Sequence, residues 1–417
     1  MNIAIIGSGI AGLTTAHLLS KKNHVTVFEA NHYIGGHTAT VDVEVASGKY
    51  AIDTGFIVFN NWTYPNFIEL MTQLEVPWKD SFMSFSVKSE TNGLEYNGTN
   101  INSLFAQRAN FFRPSFYRMV KDIMRFNKES LEVLQSPHGE LLGEYLKKRR
   151  YSDEFKMHYI IPMGAAIWSA SVEQIDLFPI EYFVRFFKNH GMLSVNDRPV
   201  WKVIQNGSRS YIEPLIRSFK NQIQLNTKVL QVTRSSENVK ILSEKDGRKQ
   251  IQTFDHVVFA SHSDQTLKML ADITPLEKEI LNGFSYQGNS VVLHTDTQVL
   301  PRRKLAWAAW NYFIPKSDPG LVSLTYDMNI LQGFKAPETF CVSLNMDDQI
   351  DPVKILRRFT YHHPVYTKNA FDSQKRWSEI SGKNRTHFCG AYWGYGFHED
   401  GVKSALEVCG SFGEKLV

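Results

Sequence analysis

Gly7, Gly9 and Gly12, followed by a carboxylate at Glu29, have the types and spacing to hold the two phosphates and a ribose of a dinucleotide. The stretch Gly7-Ser8-Gly9-Ile10-Ala11-Gly12 is a G-x-G-x-x-G. Gly7 permits a tight turn, and Gly9, without a side chain, lets a pyrophosphate approach the backbone. Gly12 allows close packing, while Ile10 and Ala11 open a helix whose first N–H groups and dipole favour an anion. Glu29, with Ala30 beside it, lies about 20 residues on, where a carboxylate accepts hydrogen bonds from ribose hydroxyls. A glycine-rich turn in an ordinary α/β protein is the alternative.

A second set of chemically capable residues closes the chain. Gly390 ends an apolar run, Thr386 to Ala391. Tyr395, His398, Glu399, Asp400 and Gly401 follow in a glycine-rich loop, and small residues from Val402 to Gly413 predict a helix. Glu399 and Asp400 suit either N-capping or ligand hydroxyls. His398 titrates in a useful range, so His398 and Tyr395 are the candidate catalytic residues, with packing or anchoring as their alternative roles.

The flanking periodicity says what must position these groups. Ile3 to Ile6 and Val25 to Phe28 read as buried strands around a helix through Leu13, Ala16, Leu18 and Leu19. Val41 to Val45 alternates as a strand, and Tyr50 to Phe59 continues it past Gly55, Phe56 and Ile57. Gln224 to Arg234, Val239 to Ser243 and Gln250 to Phe254 predict three strands, with Asp246-Gly247 as a hairpin turn. Asp255 to Ala260 is a buried strand, and Tyr211 to Phe219 a helix.

Between these blocks the chain is aromatic. A helical region is expected from Asn102 to Leu134, and Arg108, Arg113, Arg118, Lys121, Arg125 and Lys128 interleave with its phenylalanines. Over residues 105–128 this pattern suits peripheral contact with an anionic membrane, and equally an ordinary solvated helix. Further helices are expected at 139–150 and 180–190, with a core segment at 159–169 whose Trp168 suits a pocket wall. Phe284 to Leu293, Leu305 to Tyr312, Leu321 to Tyr326 and Phe340 to Leu344 predict a sheet. His362 and His363 lack a third ligand at metal spacing, so no metal is expected.

Bulk properties bound the answer. A chain of 417 residues exceeds one typical core, so two domains are the prior. A net charge of +4 is too small to argue for nucleic acid. Three cysteines without metal spacing suit a reducing compartment. No stretch reaches the about 18 apolar residues of a membrane span. With a strand predicted from the second residue, a cytoplasmic protein is expected.

Gly35, Gly36 and His37, just past the acid-bearing strand, add what nicotinamide-binding domains do not need. The combined pattern resembles the flavoprotein superfamily of amine oxidases, phytoene desaturases and protoporphyrinogen oxidases. The resemblance implies FAD, with Gly35, Gly36 and His37 beside the phosphates and ribityl chain. It also implies Gly55, Phe56 and Ile57 near the isoalloxazine, Val229 at the adenine, and Gly390 and Gly401 close to the cofactor. The terminal helix would point its N-terminus at the flavin, with Glu399 or Asp400 capping it or binding ribityl hydroxyls. Three departures stand out: His37 replaces the family's frequent arginine, Ala391 replaces an acid, and no lysine occurs between Ser285 and His294. The last of these argues against amine oxidation. Covalent flavin attachment through His37 or Cys389 is a further alternative. The strings I-G-G-H, I-P-M-G-A-A-I-W-S and F-C-G-A-Y-W-G-Y-G-F-H-E-D-G are similar to a bacterial subgroup related to the flavin domain of plant cyclopropane fatty-acid synthases.

The expected fold is therefore α/β. It comprises a discontinuous Rossmann-like FAD domain (1–60, 201–265, 375–417) and an α+β substrate domain (61–200, 266–374). The latter is expected to hold a mixed or antiparallel sheet and a helical subdomain. The expected activity is hydride removal from an apolar, lipid or fatty-acyl substrate to flavin N5. A flavin amine oxidase using oxygen, or a non-redox partner of a lipid methyltransferase, are the alternatives. Oligomeric state is left open by the sequence.

Overall fold

The opening strand is apolar on both faces, as a strand covered by helices on each side must be. In the computed structural model, which describes residues 1–135, 139–317 and 320–416, Asn2–Ile6 is central in a five-stranded sheet. The order is Ile223–Gln224, His24–Phe28, Asn2–Ile6, His256–Phe259, Thr386–Phe388. Every pairing in it is parallel. The helix Ile10–Leu19 packs against one face, and the terminal helix His398–Gly410 lies beside it. A Cβ on Gly401 would stand 2.7 Å from Ile10 Cγ2, so the glycine permits that approach.

The expected strand Gln224 to Arg234 is two elements. Asn226 takes a positive φ and donates its N–H to Asn31 O, which bends the chain. Ile223–Gln224 therefore joins the parallel sheet, and Thr227–Arg234 opens an antiparallel meander with Val239–Lys245 and Arg248–Phe254. Arg234 pins this meander from inside. Its guanidinium meets both Glu277 oxygens and Asp272, and Arg234 and Glu277 are both buried.

The second large sheet has seven strands. Its order is Ile355–Val365, Ser285–His294, Cys341–Leu344, Leu324–Asp327, Trp310–Ile314, Phe85–Ser89, Glu95–Asn97. Only Trp310–Ile314 against Phe85–Ser89 is parallel, so the sheet is mixed. The strand expected at 305–312 starts late because Asn311 folds its amide back onto Ala308 and holds a turn there.

Helices cover one side of this sheet. The expected helix 102–134 is broken into Ile101–Leu104, a 3-10 turn Arg108–Phe112, the helix Pro114–Glu129 and a second 3-10 turn Ser130–Leu134. Pro114 stands in the first turn, where its missing N–H costs nothing, and it starts a new helix instead of extending an old one. Helices Leu142–Lys148, Ile161–Trp168 and Ile180–Asn189 complete the bundle. Helix Tyr211 to Phe219 is also shorter than expected, as a 3-10 turn Ser208–Tyr211 leading into Ile212–Ile216. Among the described residues no helix is long and apolar enough to cross a membrane.

Candidate functional site

The turn after the opening strand is built almost entirely from backbone. Gly7 adopts φ +107°, and a Cβ on Gly12 would stand 2.0 Å from Gly7 O. Gly9 is the N-cap of the helix Ile10–Leu19, and no side chain caps that helix. The Gly35-Gly36 loop docks here: Gly35 N donates to Ser8 O at 3.0 Å, and Gly36 faces Gly9 Cα. A Cβ on Gly9 itself would meet nothing within 4 Å, because it opens on a cavity.

That cavity, of ≈ 890 Å³, gathers most of the predicted site. Gly7, Gly9, Ile10, Ala11, Glu29, Ala30, Gly35, Gly36 and His37 line it from the N-terminal block. Gly55, Phe56 and Ile57 line it further in, Val229 at one end, and Gly390, Tyr395 and His398 from the C-terminal block. Four predicted residues lie off its wall. Gly12 packs inside the turn and Gly401 against Ile10. Glu399 accepts the N–H groups of Asn66 and Phe67 and the Asn66 amide, which ties the terminal helix to the helix Pro65–Gln73. Asp400 accepts the N–H groups of Tyr395 and Phe397 at 3.0 Å each. This cap is why the terminal helix starts at His398, earlier than the expected Val402; the helix ends at Gly410, short of the expected Gly413.

Glu29 is buried, and its carboxylate is fully engaged by the chain. Ser8 N and Oγ donate to one oxygen at 3.0 and 2.6 Å, and Asn31 N and Nδ2 to the other at 2.9 Å each. Ribose hydroxyls would share these oxygens with Ser8 and Asn31. Gly55 passes His37 so closely that a Cβ would lie 2.2 Å from His37 O, and Phe56 N donates to that oxygen. The resulting bend carries Phe56 flat against His398, with ring centres 3.6 Å apart. Thr38 Oγ1 and the Tyr211 hydroxyl hold His398 Nε2 at 3.1 and 3.2 Å. Burial keeps the His398 imidazole well below its ordinary range, so it stays neutral. Burial likewise keeps the Tyr395 phenol protonated.

Sequence reasoning did not place several wall residues. His262 stacks on Tyr286 with centres 4.3 Å apart, and His363 lies 5.6 Å from His37. Burial pushes His37 down to about 3 and His363 to about 4, so this polar flank carries no fixed charge near neutrality. The His362-His363 pair was visible as a motif, but nothing in its spacing points to a cavity wall rather than a metal. Among the described residues no group of histidine, cysteine and carboxylate could hold a metal ion. Cys389 lies off the cavity, buried against Thr15, and burial pushes its thiol up to about 12.

A groove of glycines, an open helix N-terminus, a carboxylate at one end and an aromatic chamber at the other fit a long two-phosphate ligand. The Cβ-free face of Gly9 is the observation that tests the fit, since the side-chain space left there faces the cavity alone.

Comparison with known proteins agrees with this geometry. Residues 10–328 match the family described as flavin containing amine oxidoreductase. Cyclohexylamine oxidase from Brevibacterium oxydans IH-35A superposes with a TM-score of 0.68 at 14% identity, covering 99% of each chain. A fatty acid isomerase from P. acnes that produces CLA gives a TM-score of 0.68 at 14% identity over 98% of each chain. Putrescine oxidase, solved bound to putrescine, gives 0.67 at 13% identity over 99% of each chain. At such identities these likenesses speak to the fold alone. No curated protein matches the chain in sequence.

Proposed function

The chain belongs to the flavin-containing amine oxidoreductase family, and on that premise we propose that this FAD-dependent oxidoreductase removes hydride from an apolar, acyl-chain-like substrate. One observation carries the reading. Around the aromatic end of the cavity stand Ile167, Trp168, Trp310, Tyr326, Tyr366 and Phe397, and no carboxylate. Glu29 is the one acid among the described lining residues, and it is bound by Ser8 and Asn31. An ammonium group would find no counter-charge there, whereas an acyl chain finds apolar surface. The sequence strings that resemble the subgroup related to plant cyclopropane fatty-acid synthases point the same way.

FAD, when bound, supplies the hydride acceptance. The chain's own contributions are positional. Gly7, Gly9, Ile10, Ala11, Gly35 and Gly36 offer backbone to the phosphates; Glu29 and Ala30 meet the ribose, and Val229 meets the adenine. His37, Gly55, Phe56, Ile57 and Gly390 border the ring end. His398 orients Phe56, and Tyr395 offers a protonated hydroxyl. In this reading residues 1–60, 201–265 and 375–417 form the FAD domain and 61–200 and 266–374 the substrate domain. The parallel sheet drawn from the first set and the mixed sheet drawn from the second support the division.

Oxidation of an amine with oxygen is the second reading, favoured by the aromatic chamber and opposed by the strand Ser285–His294, which carries no lysine. Anaerobic mixing of the yellow protein with a lipid extract, and aerobic mixing with amines, separate the two. Bleaching by lipid with no peroxide from amines supports the proposal. Steady peroxide release with amines and no bleaching by lipid overturns it. A flavin that no donor bleaches points instead to a non-redox partner role.

Contact with an anionic bilayer is part of the proposal. Phe112 is 88% exposed and Ile101 77%, with Phe111, Tyr117 and Met124 exposed beside them. Arg113, Lys121 and Lys128 have no carboxylate partner among the described residues. Exposed aromatic rings and unpaired cations within residues 105–128 complement anionic headgroups over an apolar layer. Phe112→Ser is expected to lower binding to phosphatidylglycerol vesicles by about 10-fold, and phosphatidylcholine vesicles should bind neither form. Vesicle flotation checks this; equal flotation of both proteins removes the surface from the reading.

A further inference from the structure

A second, much smaller cavity of ≈ 10 Å³ adjoins the large one, and Trp168, Ser169, His363, Pro364 and Tyr366 belong to the walls of both. Its space suits one water-sized atom. What makes it informative is the polarity of its wall. Trp168 Nε1, Gln287 Nε2 and the Tyr366 hydroxyl are all sealed from solvent, and none has a protein partner. All three residues line this annex.

Two hydrogen-bond relays fix the amide orientation of Gln287 and the tautomer of His363 on its wall. Ser171 N can only donate, and it donates to Gln174 Oε1 at 2.8 Å. Gln174 must then present its Nε2, which donates to Gln287 Oε1 at 3.0 Å. Gln287 is left with its Nε2–H groups, so a flipped amide is ruled out by the backbone at the start of the relay. The second relay starts at Ser290 N, which donates to Asn345 Oδ1 at 3.0 Å. Asn345 Nδ2 donates to Asn289 Oδ1 at 2.8 Å, so Asn289 Nδ2 is the atom 3.0 Å from His363 Nδ1. A neutral His363 with an accepting Nδ1 carries its proton on Nε2.

The annex is thus rich in donors: an indole N–H, an amide N–H and a phenol, beside an imidazole held as the Nε2–H tautomer. Ser169 can act either way, and no carboxylate lines it. Buried donors without acceptors destabilise a fold, so each of these calls for a partner. Resting on the apolar-substrate reading above, we infer that the annex is an oxygen subsite. It takes one hydrogen-bond-accepting oxygen, from water in the resting protein or from a carbonyl at the polar end of the substrate. A water there would accept from Trp168 and Gln287 and donate to the Tyr366 oxygen. A carbonyl would accept from the same two donors, and its chain would run into the aromatic chamber. An ammonium would meet two N–H donors and no carboxylate, and so be disfavoured against a carbonyl.

The test uses the flavin-loaded protein and three probes of equal chain length, decan-2-one, decane and decylamine, with binding read from perturbation of the visible flavin spectrum. Decan-2-one is expected to bind about 10-fold more tightly than decane, with decylamine weakest. Gln287→Leu should cut the ketone's affinity by about 10-fold and leave decane's unchanged, while Trp168→Phe, which also alters the chamber wall, should remove the ketone's advantage over decane. A crystal structure without probe separates the two sources of the oxygen. A water bridging Trp168 Nε1 and Gln287 Nε2, with no ketone advantage, supports the subsite as a water site. A ketone advantage that both variants abolish supports the substrate carbonyl. Equal binding of ketone and decane together with a dry annex overturns the inference, as does tightest binding by decylamine. If no probe perturbs the flavin, the apolar-substrate reading fails, and the crystal structure decides the annex by whether it is wet or dry.

Discussion

Gly9→Val is expected to give a folded, colourless protein, whereas Gly12→Val, three residues on, is expected not to fold. The two glycines look alike in the sequence and differ completely in what surrounds them. Gly9 has φ −71° and ψ 177°, backbone that any residue adopts, and its Cβ direction meets no atom within 4 Å. A valine there keeps the fold and projects into the groove proposed for the phosphates. We expect FAD affinity to fall by about 100-fold or more, the overpacking of a close backbone approach costing about 3 kcal/mol. The thermal midpoint of the cofactor-free protein should shift little. At Gly12 the added Cβ would lie 2.0 Å from Gly7 O and 3.1 Å from the Ala260 side chain. The obstacle is backbone at the centre of the parallel sheet, which has no room to yield. A loss of about 3 kcal/mol or more follows, a large share of a domain's stability. Circular dichroism and visible absorbance of both variants check this. Stoichiometric yellow Gly9→Val protein would sink the account of the groove.

Acid is expected to unfold the protein steeply below about pH 6. His37, His190, His294, His363, His387 and His398 are buried neutral. Desolvation brings His37 to about 3, His190, His294, His363 and His387 to about 4, and His398 well below its ordinary value. Unfolded, each takes up a proton near its ordinary 6.5, so acid draws the chain toward the unfolded state. Asp53, Asp327 and Asp400 oppose this. Burial raises each to about 6, so the folded protein binds their protons first and gains stability as pH falls through that value. Six imidazoles outnumber three carboxyls, and the balance destabilises by about 3–4 kcal/mol per pH unit between about pH 6 and pH 5. Urea midpoints measured across that interval read the slope directly. A flat profile would mean that these imidazoles are not held neutral. For the same reason no limb of a pH–rate profile between about pH 5 and pH 8 should belong to His398.

The sequence was most readable where function depends on neighbours in the chain. The phosphate turn, the acid-bearing strand and the Gly35-Gly36 loop are local, and their order alone predicts the groove. The start of the terminal helix was not readable, because it depends on Asp400 turning back to hold the N–H groups of Tyr395 and Phe397. Glu399 has an acid's identity in a promising place, yet its partners, Asn66 and Phe67, lie more than 300 residues earlier in the chain. Gln287 and Tyr366 carry no motif, and Trp168 reads from the sequence only as a pocket wall. They meet only because a helix end and two neighbouring strands converge, and their significance lies in hydrogen bonds they do not make within the protein.

The parallel sheet takes its edge strand from Thr386–Phe388, and Ile10 takes its cover from a helix that begins at His398. On the ribosome, the side of the first helix that meets His398–Gly410 therefore emerges early and stays uncovered until that later stretch has been made. At about 5–20 residues per second that interval is on the order of tens of seconds. A nascent chain stalled before Thr386 would hold neither the fifth strand of the sheet nor the Gly390 and His398 wall of the groove. The ring end of the groove is in this way a late addition, and a chain that stops short of it keeps apolar surface exposed.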